Sequence, residues 1–247
     1  IWPFNGSTFN FNIGAPQLIN KLENDPDHVL IDYYFDNKNG LFKLNIQDGS
    51  WDVIEANRFK DDWMADANGL VRLVFARMEG EENLVAHYRS NEEEDFKPLW
   101  IVEDGERKPF KNGNIDFDDD GQHLYFYGRD KDKRRVIRRA EIDEQNTVTN
   151  IKTMFGLDKY DVDGFSYSYS SLLVNGANLT KDYSDTYYFD KDMAQVQADL
   201  KATFPGASVE ITSYDSKKER WIAKVSGADY GIEYYFYDQK NVSIALL

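Results

Sequence analysis

YYFYD, at residues 234–238, is an aromatic stretch that ends in aspartate, and it decides the fold because it recurs along the chain. Earlier copies read YYFD at 33–36 and YYFD at 187–190. Their terminal aspartates, Asp36, Asp190 and Asp238, lie 154 and 48 positions apart, so the first separation is close to three times the second. This spacing indicates a repeated unit of about 50 residues.

A second pattern recurs between these stretches, an acidic turn flanked by strand-like sequence. WMADANG occupies 63–69, IDFDDDG occupies 115–121, and TSYDSKKE at 212–219 is a looser copy. Asp66 and Asp118 hold the same place in the first two copies, 52 positions apart. Aspartate closes such turns by accepting hydrogen bonds from nearby backbone, and glycine supplies positive φ. The pattern therefore predicts hairpins at these positions.

The segments between the turns are short and rich in aromatic and β-branched residues, which favours strands. They occupy residues 28–35, 71–77, 84–88, 123–127 and 221–225. We predict an all-β fold, a partial or small β-propeller of about four to five four-stranded antiparallel blades. The predicted blades occupy residues 25–60, 61–107, 108–156, 157–205 and 206–247, and an N-terminal segment occupies residues 1–24.

One segment has a helical rather than a strand-like pattern. Met193, Val196, Leu200 and Phe204 recur at helical spacing, and a Pro-Gly pair follows them. Such a pair is a common stop signal for a helix. We predict an inserted helix over residues 192–204 that packs over a sheet edge or closes a gap between blades.

Charge and composition exclude several classes of partner. The formal net charge is −15, so the overall field would repel a nucleic-acid backbone. No apolar run approaches the roughly 18 residues that a membrane span needs, and we predict no membrane partner. The chain has no cysteine, which excludes disulfides and a thiolate nucleophile but fits the bacterial periplasm and the cytoplasm equally well.

No serine nucleophile is predicted. Hydrolases of the α/β class carry G-x-S-x-G at a sharp turn between a strand and a helix, and the chain has no such motif. The nearest approach, GFSYS at 164–168, lacks the second glycine and reads as a strand. We therefore interpret Ser166 as a strand residue.

Metal and cofactor sites are not predicted either. The histidines, His28, His87 and His123, fall in or beside predicted strands and lack the spacing of a metal-binding pair. DFDDDG at 116–121 imitates the start of a calcium loop, but Tyr127 stands where a bidentate glutamate is required. We interpret this segment as an acidic turn, and we predict no catalytic, metal-binding or cofactor-binding residue.

Several stretches, taken in order, resemble the propeller of bacterial prolyl oligopeptidase-family serine hydrolases, the group that includes dipeptidyl and acylaminoacyl peptidases. The stretches lie at 25–31, 63–72, 88–89, 117–125, 160–164, 204–206, 209–215 and 229–238. Each match is loose, and the order and spacing of the matches carry the resemblance, which runs from about residue 18 to residue 247.

The resemblance implies a non-catalytic role. In that family the propeller lies over an α/β-hydrolase domain and helps to select peptide-like substrates by size. The hydrolase half would hold the whole catalytic triad, so the resemblance assigns no catalytic residue to these 247 residues. We expect either a piece of a longer bacterial peptidase, with a C-terminal α/β-hydrolase domain as its partner, or a divergent stand-alone protein.

Two other functions stay open at this point. The first is a self-contained propeller that binds a protein or a small ligand through a loop-rich face. The second is a propeller glycosidase that uses a pair of carboxyl groups. An incomplete ring would also leave unpaired strand edges, and we predict that the helix at 192–204, the segment 1–24 or self-association with a second copy covers them.

Overall fold

The structure of the chain is a computed structural model. The structure describes residues 16–22, 25–35, 38–56, 60–66, 68–77, 79, 82–111, 114–117, 123–168, 172–181 and 183–247. The described residues form two compact units. Unit 1 takes its residues from Ile1–Tyr127, Arg138–Lys152 and Ser171–Leu173, and unit 2 takes its residues from Gly128–Ile137, Thr153–Ser170 and Val174–Leu247.

Five sheets follow one another along the chain. The first contains β1 (Gln17–Asn20), β2 (His28–Phe35), β3 (Lys38–Asn45) and β4 (Trp51–Ala56), and the second contains β5 (Lys60–Ala65), β6 (Val71–Arg77), β7 (Leu84–Tyr88) and β8 (Lys97–Pro98). The third contains β9 (Trp100–Glu103), β10 (Glu106–Pro109), β11 (Ile115–Phe117), β12 (Leu124–Arg129), β13 (Arg135–Ile142) and β14 (Thr147–Phe155).

The last two sheets flank the helix in sequence. The fourth contains β15 (Gly164–Tyr167), β16 (Val174–Thr180) and β17 (Ser184–Tyr188), and helix α1 (Lys191–Thr203) comes next. The fifth contains β18 (Ser208–Tyr214), β19 (Arg220–Gly227), β20 (Gly231–Asp238) and β21 (Ser243–Leu246). The predicted fold class, an all-β propeller of four to five blades with one helix near 192–204, is confirmed.

The predicted strands agree closely with the observed ones. The segments at 28–35, 71–77 and 84–88 match β2, β6 and β7 residue for residue, and the other two differ from β12 and β19 by one or two residues at their ends. These segments carry their signal locally, in alternation and in β-branched or aromatic content. Local pattern was therefore enough to place these five strands.

The third sheet departs from the simple four-stranded unit. Its order is β10-β9-β14-β13-β12-β11, because the hairpin of β9 and β10 joins the edge of β14. The β9–β14 pairing is parallel, with Trp100 opposite Thr147 and Ile101 opposite Val148. This hairpin lies mostly within the blade predicted at 61–107. A parallel pairing between segments more than 40 residues apart leaves no local pattern from which to assign the hairpin to its sheet.

The strand content of the first and fourth sheets also differs from that of the predicted blades. β1 lies within the predicted N-terminal segment, yet it pairs with β2 in the first sheet, with Leu18 opposite Ile31. The fourth sheet has three strands in its described part, and α1 follows where a fourth strand was expected. Residues 1–15 and 23–24 of the N-terminal segment lie outside the described residues.

Three hairpin turns share one aspartate-centred geometry. The carboxylate accepts hydrogen bonds from the backbone N–H groups two and four residues later, at 2.9 and 3.1 Å in the turn that starts at Asp66. The residue three positions on has positive φ, which is +80° at Gly69. Equivalent bonds occur at Asp130 and Asp143. These contacts confirm the turn predicted at Asp66, whereas the copy centred on Asp118 lies outside the described residues.

The looser copy at 212–219 is a longer version of the same device. Asp215 accepts hydrogen bonds from the N–H groups of Glu219 and Arg220 at 2.9 and 3.2 Å. Its backbone N–H in turn bonds the Arg220 carbonyl at 3.0 Å, which closes the hairpin between β18 and β19. The hydrogen bonding therefore confirms this turn as well.

Among the described residues of unit 1 are two buried apolar clusters and the ion pair of Asp66 and Arg72. The larger cluster includes Leu73, Phe75, Leu99, Phe110, Phe117, Leu124 and Phe126, and the smaller includes Leu22, Leu30, Leu41, Trp63, Val71 and Val74. Beside the smaller cluster, Asp66 is only 1% exposed, and Arg72 Nε lies 2.7 Å from its Oδ2 atom. The Asp66 carboxylate thus closes a turn and pairs with a cation at once.

Unit 2 is built around the helix. Met193, Val196 and Leu200 of α1 are buried in one cluster with β17, β18, β19 and β20 side chains, among them the fully buried Trp221. These are three of the four positions that the sequence placed on one helical face. Phe204 lies just after the helix and packs partly buried against the same cluster. The helix therefore forms part of the core of unit 2.

Candidate functional site

Ser166 lies in the middle of a regular strand. It belongs to β15 and stands opposite Gly176 of β16 in an antiparallel pair. A nucleophile elbow instead requires a sharp turn from a strand into a helix, which exposes the hydroxyl at the top of the sheet. The backbone at Ser166 is therefore that of a structural strand residue, as we interpreted it.

The three histidines have local partners in unit 1. His28 Nδ1 lies 2.7 Å from Asp25 Oδ1, and His87 Nδ1 lies 2.9 Å from the Val85 carbonyl. His123 Nδ1 lies 2.6 Å from Arg139 Nη2 and therefore accepts a hydrogen bond. Within the part of the chain that the structure describes, no group of three or more histidine, aspartate or glutamate side chains could hold a metal ion.

Asp116 is the described carboxyl group with a clearly raised pKa. Burial raises its pKa to about 7, and one hydrogen bond from the Phe117 N–H opposes that shift. A carboxylic acid that stays protonated near neutral pH could act as a general acid. Residues 118–122, the rest of the calcium-like turn, lie outside the described residues. The glycosidase alternative needs a carboxylic acid together with an ionised carboxylate, and Asp116 has only the first of these two properties.

Strand β17 separates a buried side from an exposed one. Its alternation directs Thr186 and Tyr188 into the unit and directs Tyr187 outward. The Tyr188 hydroxyl accepts a hydrogen bond from the Ile211 N–H at 2.8 Å. Burial is the main cause that raises the pKa of Tyr188 above its usual value, so this phenol stays protonated. The inner side of β17 is therefore structural, and the outer side is available for contact.

Helix α1 seals the free edge of β17. Gln197 Nε2 donates hydrogen bonds to the carbonyl oxygens of Thr186 in β17 and Val209 in β18, each at 2.9 Å. Lys201 Nζ lies 2.6 and 2.7 Å from the two carboxylate oxygens of Asp185. These contacts agree with the expectation that the helix covers a strand edge.

The N-terminus of α1 is held by an N-cap and by an ion pair. Asp190 Oδ1 accepts hydrogen bonds from the N–H groups of Asp192 and Met193 at 2.8 and 2.9 Å, which is an N-cap. Lys218 Nζ lies 2.5 Å from the other oxygen of Asp190. Burial alone would raise the pKa of Asp190, but the hydrogen bonds from Lys218 and the helix backbone hold it below its usual value.

The outer side of β17 carries an aromatic surface, which we call the aromatic platform: Phe155, Tyr187 and Phe189. The Tyr187 ring stacks on Phe155 with centroids 4.6 Å apart and an interplanar angle of 21°. Phe189 meets Tyr187 edge to face at 6.2 Å. Tyr187 is 51% exposed, so about half of this side chain remains open to solvent beside its contacts with Phe155 and Phe189.

The platform is suited to binding by stacking. An exposed tyrosine ring presents a large apolar face with a hydroxyl at its end, which suits aromatic and proline side chains or a sugar ring. The sequence marked 187–190 only as a repeated strand signature, and the inward or outward direction of each ring was not predicted. The alternation of strand residues was the available signal. Because Tyr188 faces the helix, its neighbour Tyr187 must face the opposite side of β17.

Unit 2 also contains a cavity at the start of the fifth sheet. Its volume is about 290 Å³, and Trp221, Ile222 and Phe236 form its apolar part. This volume lies at the low end of the range for small-molecule sites. The carboxylate at its rim, Asp215, is already engaged by two backbone N–H groups of its turn. The Asp215 carboxylate is therefore part of the hairpin rather than a group aimed at a ligand.

Comparison with known proteins gives likenesses of fold only. No protein-family model matches the chain, and no curated protein matches it. Among solved structures, it is similar to TolB from Acinetobacter baumannii at 10% identity and a TM-score of 0.36, covering 95% of this chain and 43% of that one. None of the described helices is long and apolar enough to cross a membrane.

Two of the similar structures are peptidase-related. The β-propeller domain of the Trilobed protease from Pyrococcus furiosus matches at 11% identity and a TM-score of 0.39, over 95% of this chain and 70% of that one. Pyrococcus horikoshii acylaminoacyl peptidase matches at 11% identity and a TM-score of 0.43, over 95% of this chain and 38% of that one. The chain thus spans less than half of TolB and of the acylaminoacyl peptidase, and likenesses at this level carry no argument about activity.

Proposed function

We propose that this chain is the non-catalytic propeller part of a prolyl oligopeptidase-like serine hydrolase. In this role it limits and guides the access of peptide-like substrates to a hydrolase domain. The observation that carries the proposal is the position of Ser166, the serine nearest to a nucleophile motif. It lies within a regular strand, in a chain whose described residues form successive sheets closed by aspartate turns.

The first test asks whether the chain is inert. The purified chain is incubated with a fluorophosphonate probe and with aminoacyl-nitroanilide and ester substrates, and a serine hydrolase serves as the positive control. We expect no turnover and no labelled serine by mass spectrometry. A labelled serine, at position 166 or elsewhere, would contradict the proposal.

The second test asks whether the propeller selects substrates by size. In a parent protein that contains a hydrolase domain, the cleavage rates of a dipeptide substrate and of a long peptide are compared with and without residues 16–247. We expect removal of the propeller to raise the ratio of long-peptide to dipeptide cleavage. An unchanged ratio, in a truncated protein that still cleaves the dipeptide, would refute the gating role.

A stand-alone binding module is the second candidate, and the aromatic platform is the observation that favours it. The gene sequence beyond Leu247 separates the two candidates. A downstream G-x-S-x-G motif supports the peptidase, whereas a stop codon supports the binding module. If the platform binds ligand, Tyr187→Ala should weaken binding, while Tyr183→Ala, at a similarly exposed tyrosine, should leave it unchanged.

A further inference from the structure

The cavity of unit 2 lies on the face of the fifth sheet that is turned away from helix α1. Trp221 of β19 is fully buried in the cluster that contains α1. Because successive side chains of a strand point to opposite faces, Arg220 and Ile222 point away from that cluster. Ile222 stands opposite Ser213 of β18 and Phe236 of β20, and these side chains line the cavity together with Arg220. Four lining residues therefore share one sheet face.

The wall of the cavity is apolar and remains accessible. Ile222 and Phe236 are partly buried and face each other across the ladder between β19 and β20. The same face of β20 continues with Tyr234, which is 46% exposed, and Ile232, which is 70% exposed. A cavity of about 290 Å³ with such a wall suits the side chain of a small ligand.

Arg220 adds an unengaged positive charge to this wall. Its backbone N–H donates to Asp215 Oδ1 at 3.2 Å, which does not involve the side chain. Among the residues that the structure describes, no hydrogen bond or ion pair engages the Arg220 guanidinium. A guanidinium carries five N–H donors in a planar fork. These donors are therefore available to a ligand in the cavity.

Two carboxylates near Arg220 are held by their own turns. Hydrogen bonds from the backbone N–H groups of Glu219 and Asn241 are the main causes that lower the pKa of Asp215 and of Asp238, respectively. The charge of Arg220 lowers both pKa values further, so both carboxylates lie within its electrostatic reach. Neither of them forms an ion pair with the guanidinium in the described part of the chain.

Charge and shape together select the ligand. The guanidinium fork matches a carboxylate, which accepts two parallel hydrogen bonds from it. A phosphate would bring a second negative charge close to Asp215 and Asp238, and like charges repel. Ile222 and Phe236 offer contact to an apolar group beside the anion. A single carboxylate next to an apolar side chain therefore fits the cavity better than a phosphate does.

We propose that this cavity binds a monocarboxylate that carries an apolar or aromatic side chain next to its charged group. Arg220 holds the carboxylate, and Ile222 and Phe236 contact the side chain. A free N-acylated amino acid and the carboxy-terminal residue of a peptide both have this chemistry. The binding requires no hydrolase domain, so it stands or falls separately from the peptidase proposal.

The test titrates the purified chain with N-acetylphenylalanine and measures binding by NMR. Two matched ligands separate the contributions: N-acetylphenylalaninamide lacks the charge, and N-acetylglycine lacks the ring. Arg220→Gln removes the cation from an exposed position, where the substitution leaves the core unchanged. The control is Arg77→Gln, because Arg77 is an exposed arginine of β6 that does not line the cavity and its replacement changes the net charge equally.

We expect N-acetylphenylalanine to bind with a Kd on the order of 1 mM. The amide and N-acetylglycine should each bind at least about fivefold more weakly. Arg220→Gln should weaken binding of the acid by about tenfold, the equivalent of about 1.4 kcal/mol, and Arg77→Gln should leave it within about twofold.

Equal binding of the acid and the amide would overturn the proposal, as would equal affinity of the Arg220 and Arg77 variants or no binding of the acid at all. A further ligand, triglycyl-phenylalanine with a free carboxylate, separates the two sources of this chemistry. If it binds as well as the acid, the site accepts peptide carboxy termini. If only the acid binds, the site is specific for small free acids.

Discussion

Replacing Gln197 should destabilise unit 2, because this one side chain satisfies two buried carbonyl groups. Gln197 is 7% exposed, and its Nε2 atom donates to Thr186 and Val209 at 2.9 Å each. In Gln197→Leu, both carbonyls lose their donor and no water replaces it. Each unsatisfied buried polar group costs about 1–3 kcal/mol, and the added apolar surface offsets part of this. We expect a net loss of about 2–4 kcal/mol.

A loss of this size is measurable by thermal and urea denaturation. In a domain of this length it lowers Tm by roughly 4–16 °C. Gln195→Leu is the matched control, because Gln195 lies on the exposed side of the same helix and should change stability by no more than about 0.5 kcal/mol. The two substitutions alter helix propensity equally, so the difference between them reports the buried hydrogen bonds.

A second variant separates the loss of donors from a change of volume. Gln197→Glu keeps the side-chain shape, but an ionised carboxylate would face the two carbonyl oxygens without a hydrogen to donate. We expect Gln197→Glu to be at least as destabilising as Gln197→Leu at pH 7 and to recover part of the loss under acidic conditions, where the carboxyl group is protonated. If both variants matched Gln195→Leu, the sealing role of Gln197 would be wrong.

Three further predictions concern buried or paired carboxyl groups. Asp190→Ala should lower the free energy of unfolding by about 1 kcal/mol through loss of the N-cap. Because the pKa of Asp190 is lowered, its carboxylate stabilises the fold above its ordinary pKa of 3.8 and loses that effect as the pH falls. In Asp190→Asn, the urea midpoint should therefore fall less steeply with acidification than it does in the wild type. The raised pKa of Asp116 has the opposite sign, so wild-type stability should fall as pH rises from about 4 to about 7, and Asp116→Asn should remove that slope between midpoints measured at pH 5 and pH 8. Asp66→Ala should lower the free energy of unfolding, measured by urea denaturation, by about 3 kcal/mol, because it leaves the Arg72 guanidinium without its carboxylate partner and removes the hydrogen bonds that close a turn. A loss below about 1 kcal/mol would contradict the role of that ion pair.

The sequence predicted the features whose signals are local. The aromatic strand signature, the aspartate turns and the apolar face of the helix each occupy a few neighbouring residues. The structure contains strands at the signature, the turns at Asp66 and Asp215, and the buried helix face. The sequence analysis predicted no hairpin at β9 and β10, and the parallel partner of this hairpin, β14, lies far along the chain. Pairing partners at that distance depend on the whole packed arrangement, which a local pattern does not contain.

The candidate surfaces were harder to predict than the fold. Gln197 follows the buried Val196 on the helix, but a glutamine at that position reads as a surface residue until its two carbonyl partners are known. The aromatic platform depends on which face of β17 the helix occupies. In each case the role of a residue depends on its neighbours in space, which the sequence alone does not identify.

The two hydrogen bonds that Gln197 donates have a mechanical consequence. One amide group bonds a carbonyl of the fourth sheet and a carbonyl of the fifth, so the same side chain ties both sheets to the helix. The stretch from β15 to β21 should therefore open as one cooperative block. Its slowest amide hydrogens should exchange with solvent at a common rate.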